Sequence, residues 1–130
     1  IAHLAEPLMK DGGCMLTTTY YGGEKVVENY GVMGPVKAAL EGTVKYMAAE
    51  LGEKKIRVNA LSPGPIATRA AGGIANFDTL LEEAKNKSPE HELVCTDCVG
   101  AYARFLVSDE AHLVTGSTVY IDAGFNIMAA

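Results

Sequence analysis

Two tyrosines ten positions apart, Tyr20 and Tyr30, and a lysine seven beyond the second, Lys37, are the groups in this sequence best placed to move a proton. An ammonium near a phenol favours phenolate and lowers the tyrosine pKa from about 10. That shift makes tyrosine a usable acid or base near neutral pH. Seven residues is about two helical turns, so in a helix Tyr30 and Lys37 share a face. The plainer reading is an amphipathic helix with an exposed lysine and a partly buried tyrosine. Tyr20 ends an apolar run, Cys14-Met15-Leu16-Thr17-Thr18-Thr19. Strand ends of a parallel sheet face its ligand crevice, although a β-favouring aromatic also suits that position. Tyr21 and Lys25 match a Tyr-x-x-x-Lys pair, but Gly22-Gly23 between them makes a loop, so a shared helical face is not supplied.

A second candidate is Ser62-Pro63-Gly64-Pro65-Ile66-Ala67-Thr68, after another β-branched run. A bare glycine between rigid prolines lets backbone approach a flat ring, and Thr68 offers a hydroxyl to a phosphate. Read alone, the segment is a plain turn. Cys95 and Cys98 have Cys-x-x-Cys spacing, but a structural zinc site needs four ligands and no second pair exists. No metal site is assigned. His3, His91 and His112 share no spacing and read as exposed or locally bonded, and Glu82-Glu83 as a solvated helix face.

The elements that must hold these groups alternate. Residues 1–10 read as a helix end closed by Lys10-Asp11-Gly12-Gly13, 14–19 as a buried strand and 20–30 as a loop. Val36, Leu40, Val44, Met47 and Leu51 recur at helical spacing over 32–52, with Gly52 as the stop. Ala38, Ala39, Gly42, Ala48 and Ala49 keep that helix slim, suited to packing on another helix. Ile56 to Leu61 reads as a strand that the prolines end. Phe77 to Lys87 reads as a helix. Thr96 is expected to cap another to about Val107, with Val99, Ala103, Phe105 and Leu106 inward. Thr118 to Asp122 reads as a third strand. Helices alternating with apolar strands predict an α/β fold with a parallel sheet covered on both faces.

The 130 residues suit one domain or part of one, and a net charge of −5 shows no basic stripe for nucleic acid. No apolar run reaches a membrane span of about 18 residues. Three cysteines and no secretory signal make a cytoplasmic location the default. The chain begins at Ile1 within an expected helix and carries no G-x-G-x-x-G turn. The expectation is therefore that residues 1–130 are the C-terminal half of a longer domain.

Together these segments resemble the C-terminal half of the short-chain dehydrogenase/reductase superfamily. The resemblance rests on the strand before Tyr20, on Arg57-Val58-Asn59-Ala60-Leu61-Ser62-Pro63-Gly64, and on Thr115-Gly116 with Val119-Tyr120-Ile121-Asp122-Ala123-Gly124. Within it the chain is most similar to the bacterial NADH-dependent enoyl-acyl-carrier-protein reductases, which carry Tyr-x6-Lys with another tyrosine ten residues earlier. Asn29-Tyr30-Gly31-Val32-Met33-Gly34-Pro35-Val36-Lys37-Ala38 and the run from Gly64 to Ile74 follow their wording.

The resemblance implies a Rossmann-like doubly wound parallel sheet and reduction of the C2=C3 bond of a trans-2-enoyl thioester on acyl carrier protein. The hydride would come from NADH, with NADPH left open. Tyr30 would give a proton or hydrogen bond to the thioester oxygen, Lys37 would hold the nicotinamide ribose, and Tyr20 would border the acyl site. Ile66 would meet the carboxamide through its backbone. Ala67, Thr68, Arg69 and Ala70 would flank the diphosphate, and residues 70–87 would form a lid. A homotetramer is implied, and the isolated 130-residue chain is expected to be inactive. Ser62-Pro63-Gly64-Pro65 departs from the more familiar Ser-Ala-Gly-Pro. The competing readings are a short-chain enzyme acting on a carbonyl or alcohol, with Thr17 where such enzymes place a serine, and a non-catalytic fragment.

Overall fold

The computed structural model describes residues 1–68 and 77–128. Three strands, β1 (Gly13–Thr18), β2 (Ile56–Pro63) and β3 (Thr118–Ile121), form one parallel sheet in the order β1-β2-β3. The described helices are α1 (Ala2–Ala5), α2 (Met33–Leu51), α3 (Phe77–Lys87) and α4 (Thr96–Val107). β2 lies in the centre, with Gly13 paired to Ile56 and Thr18 to Leu61 on one side, and Ala60 to Thr118 on the other.

Because strand side chains alternate, β2 feeds two cores. Val58 and Ala60 meet Val44 and Ala48 of α2, with Met15, Met47 and Leu51 around them. Leu61 faces the other way, against Leu106 and Ala111, with Val99 and Ala103 of α4 beside them. One helix on each face gives the doubly wound α/β arrangement that the alternation predicts.

Polar side chains lock the far end of the sheet. Asn59 is fully buried; its amide donates to the Val114 carbonyl at 2.8 Å and its oxygen accepts from the Ser117 N–H at 3.1 Å. The Arg57 guanidinium donates to the carbonyls of Leu106 (2.6 Å), in the last turn of α4, and Ser108 (3.2 Å), just beyond it.

Several local expectations change. The prolines do not stop β2, which runs through Pro63. Gly64 N–H donates to Ile121 and the Leu61 carbonyl accepts from Thr19, so residue 63 faces the β1 side. β1 pairs only as far as Thr18, so no ladder bond is lost at Pro63. Gly52 is right-handed (φ −59°) and continues into a 3₁₀ turn; Lys55 (φ 58°) makes the left-handed exit. Cys95, not Thr96, caps α4, its sulfur accepting from the Cys98 N–H at 3.2 Å. Phe105 is not inward; it is 39% exposed and meets Tyr102 edge-on. In the first ten residues only Ala2–Ala5 is α-helical, and a 3₁₀ turn at Glu6–Leu8 follows, beginning where Pro7 removes a donor.

Candidate active site at the carboxyl edge of the sheet

The carboxyl end of β1 sets the site. Thr19 N–H donates to the Leu61 carbonyl at 2.8 Å, one residue past the last ladder pair. Tyr20 stays extended (φ −151°, ψ 146°), so its ring leaves the sheet at the strand end. A 3₁₀ turn, Tyr21–Gly23, then reverses the chain. The Tyr20 ring meets Tyr21 edge-on at 4.8 Å and Tyr30 at 5.3 Å. The two phenols singled out in the sequence are thus brought together.

Gly22 makes that approach possible. A Cβ there would lie 2.7 Å from Cδ1 and 3.0 Å from Cε1 of Tyr30. Tyr30 does not share a helical face with Lys37, because α2 starts only at Met33. Tyr30 stands at the entry to the helix, its carbonyl accepting from the Gly34 N–H at 2.7 Å. Lys37 lies in the second turn of α2, and its Nζ donates to the Thr18 carbonyl at 3.0 Å. Tyr20, Tyr30 and Lys37 therefore converge on one strand end, by loop folding rather than helical periodicity.

The expected lowering of the Tyr30 pKa is not what the surroundings produce. Burial raises it, since phenolate is poorly solvated there. Tyr20 is raised too, by burial first and then by Tyr21, and Tyr21 is itself raised by burial, against a smaller opposing effect of its hydrogen bond with Tyr20. Both phenols therefore keep their protons at neutral pH and can serve as hydrogen-bond donors.

The loop after β2 closes the other side. Gly64 is close to protein rather than open to a ring: a Cβ there would lie 3.2 Å from Asp122 Cβ. Asp122 accepts from the N–H groups of Gly124 (3.1 Å) and Asn126 (2.9 Å), fixing the turn after β3. Pro65 is buried and lines a cavity of about 680 Å³ with Tyr20, Tyr21, Phe125 and, from α3, Leu80 and Ala84. Ile66 is half-buried, while Ala67 and Thr68 are exposed at the same edge. Arg69 and Ala70, and the lid segment up to residue 76, lie outside the described residues. The remainder of that segment is α3, which walls the cavity opposite Tyr20.

The glycines do not prevent a helical turn between Tyr21 and Lys25: the Lys25 N–H donates to the Tyr21 carbonyl at 3.0 Å, and both side chains turn to the segment after β3. Tyr21 packs on Phe125 at 5.3 Å, and Lys25 donates to the Asn126 carbonyl. Thr17 lies inside β1, paired with Ala60, and lines neither this cavity nor the smaller one of about 380 Å³ beside Tyr30. His91 and His112 contact the nearby carbonyls of Lys85 and Asp109. Among the described residues no cluster of three or more His, Cys, Asp or Glu could hold a metal.

Two residues escaped the reading of the sequence. Glu41 is buried on α2, and Thr19 Oγ1 donates to its Oε1 at 2.6 Å. The available signal was spacing: position 41 is in register with Val44 and Ala48 on the inward stripe, where a carboxylate is out of place.

Residues 1–126 match the family model described as enoyl-(acyl carrier protein) reductase. The chain is 46% identical over 130 residues to the Rickettsia typhi NADH-dependent enoyl-acyl-carrier-protein reductase, covering 100% of this chain and 50% of that protein. It is 47% identical over 126 residues to the NADPH-dependent enzyme of Staphylococcus aureus, covering 97% of this chain and 49% of that one. The Bacillus cereus enoyl-acyl carrier protein reductase, solved with NADP+ and an indole naphthyridinone, superposes with a TM-score of 0.96. It is 46% identical over 99% of this chain and 50% of its own. The Anaplasma phagocytophilum enzyme, solved with NAD, gives 0.91 at 45% identity over 100% of this chain and 47% of its own. The chain thus spans about half the length of the relatives it matches.

Proposed function

The chain belongs to the enoyl-(acyl carrier protein) reductase family, and from that premise we propose that it supplies the proton-delivering, C-terminal half of a reductase acting on trans-2-enoyl thioesters of acyl carrier protein. The observation that carries this reading is the convergence of Tyr20, Tyr30 and Lys37 on the end of β1. A nicotinamide dinucleotide fits the same edge. The Pro65–Thr68 loop and Lys37 flank it, and the cavity beside Tyr20 has the volume of an ordinary small-molecule site. When bound, NADH or NADPH supplies the hydride that reaches the β-carbon of the enoyl thioester.

The residues of this chain do the rest. Negative charge grows on the thioester oxygen, and the Tyr30 hydroxyl, a phenol protonated at neutral pH, donates there. Tyr20 orients Tyr30 edge-on and borders the acyl cavity. An ammonium has three donors. The Thr18 carbonyl takes one from Lys37, leaving two to hold ribose hydroxyls. The Ile66 backbone would take the carboxamide, and Ala67, Thr68, Arg69 and Ala70 would border the diphosphate. Ala48 faces the core against β2, but Ala38, Ala39 and Ala49 of α2 are exposed, as are Val36 and Tyr46, and suit a second copy of the chain, in keeping with a homotetramer. We place the enzyme in the cytoplasm; among the described residues no helix is long and apolar enough to cross a membrane.

The test is NAD(P)H oxidation by the full-length protein with crotonyl thioester and, separately, with ketones. Reduction of the thioester is expected. Reduction of ketones alone would transfer the assignment to the carbonyl-reducing branch, which the placement of Thr17 within β1 disfavours.

A further inference from the structure

A buried carboxylate beneath the tyrosines has no part in the proton transfer just described. Glu41 is one turn beyond Lys37 on α2 and only 6% exposed, in line with Val44 and Ala48. A carboxylate in an apolar stripe is costly unless hydrogen-bonded. Its partner is Thr19, itself 2% exposed, whose Oγ1 donates to Glu41 Oε1 at 2.6 Å. Thr19 immediately precedes Tyr20.

The turn after Tyr20 also comes close to this carboxyl group. A Cβ on Gly23 would lie 3.0 Å from Glu41 Oε1, 3.0 Å from the Ala38 nitrogen and 3.1 Å from the Lys37 carbonyl carbon. The turn after Tyr20 therefore leaves no room for a side chain between itself and this part of α2. One turn earlier, Lys37 takes the Thr18 carbonyl at 3.0 Å. Successive turns of α2 thus grip successive residues, Thr18 and Thr19, while the Thr19 N–H is tied to Leu61 at 2.8 Å.

We propose that Glu41 is a positioning residue. By holding Thr19 immediately before Tyr20, Glu41 fixes the tyrosine pair relative to Lys37. This inference rests on reading Tyr20, Tyr30 and Lys37 as the reductase site. A group that only filled space would stabilise the fold without governing turnover.

The experiment uses the full-length reductase with Thr19→Val, Thr19→Ser and Glu41→Gln, substitutions that change few atoms. Thr19→Ser keeps the donor and Glu41→Gln keeps an acceptor oxygen, and both are expected to retain kcat within about threefold. Thr19→Val removes the bond at nearly constant volume and is expected to lower kcat by about ten- to a hundredfold, with KM for the thioester moving much less. Thr19→Val combined with Glu41→Gln should be no worse than Thr19→Val alone, since both act through one contact. Unchanged kcat in Thr19→Val, or equal loss in Thr19→Ser, overturns the proposal. If the wild-type protein fails to reduce the thioester, the reaction assignment falls by itself. Positioning is then decided by the crystal structure of Thr19→Val: a displaced Tyr20 ring supports it and an unmoved ring overturns it.

Discussion

Replacing Gly22 by alanine is the most economical way to disturb the tyrosine pair without touching it. The new Cβ would lie 2.7 Å from Tyr30 Cδ1, 3.0 Å from Cε1 and 3.3 Å from Val27 Cγ2. Carbon atoms settle at about 3.5–4.0 Å, so the Tyr30 ring must withdraw by about 1 Å. Gly22 is not among the residues of positive φ, so alanine suits its backbone and the strain falls on the ring. A displacement of about 1 Å at a reacting group costs roughly a hundredfold in rate. The assay is steady-state NAD(P)H oxidation with crotonyl thioester by the full-length enzyme, beside a thermal melt. The control is Gly100→Ala on α4, where a Cβ would meet nothing within 4 Å. Gly22→Ala should lose kcat by roughly a hundredfold while the control keeps it. Full turnover in Gly22→Ala, with the fold intact, would refute the claim that the Tyr30 ring must stand where the structure puts it.

Alkaline pH should unfold the protein through its buried phenols. Tyr20 and Tyr120 are both raised above 10.0, by burial first, with hydrogen bonding and charge (Tyr21 and Tyr30 for Tyr20; Glu24, Glu41 and Asp122 for Tyr120) adding to it. Below pH 10 both folded and unfolded chains hold these protons; above it the unfolded chain releases protons the folded one keeps, so stability falls as pH rises. Denaturant melts between pH 8 and 11 should show that fall, shallower in Tyr120→Phe, and a flat profile would contradict it. Iodoacetamide should modify Cys95 before Cys14: hydrogen bonding from Cys98 lowers the Cys95 pKa, while burial raises that of half-buried Cys14. Mass mapping that found Cys14 alkylated first would contradict this order.

The fold was legible because its signals are local and repeated. The apolar runs at 14–19 and 56–61 and the spacing of Val44 and Leu51 place two strands and α2 to within about two residues of their observed ends. What escaped depends on partners distant in sequence. Pro63 remains in a strand because β1 ends opposite Leu61, which no local pattern reveals. Cys95 takes the cap because its sulfur reaches the Cys98 N–H first.

At the candidate site, the sequence singles out Tyr20, Tyr30 and Lys37 but does not reveal how they meet. Helical spacing suggested a shared face. The structure uses the Gly22–Gly23 turn to fold Tyr30 back on Tyr20, and the Thr18 carbonyl to hold Lys37. Spacing likewise gives no measure of burial, and burial raises the Tyr30 pKa where a nearby lysine alone would lower it. Glu41 was hidden because its role depends on a strand end 22 residues earlier.

In the proposed reaction Tyr30 delivers the proton or hydrogen bond to an enoyl thioester oxygen. The most direct test of that role is the full-length enzyme with Tyr30→Phe, assayed on crotonyl thioester under saturating NAD(P)H. Removing the hydroxyl while keeping the ring should lower kcat by about two orders of magnitude, the scale of general acid catalysis, with dinucleotide affinity little changed. An unchanged kcat would contradict the account.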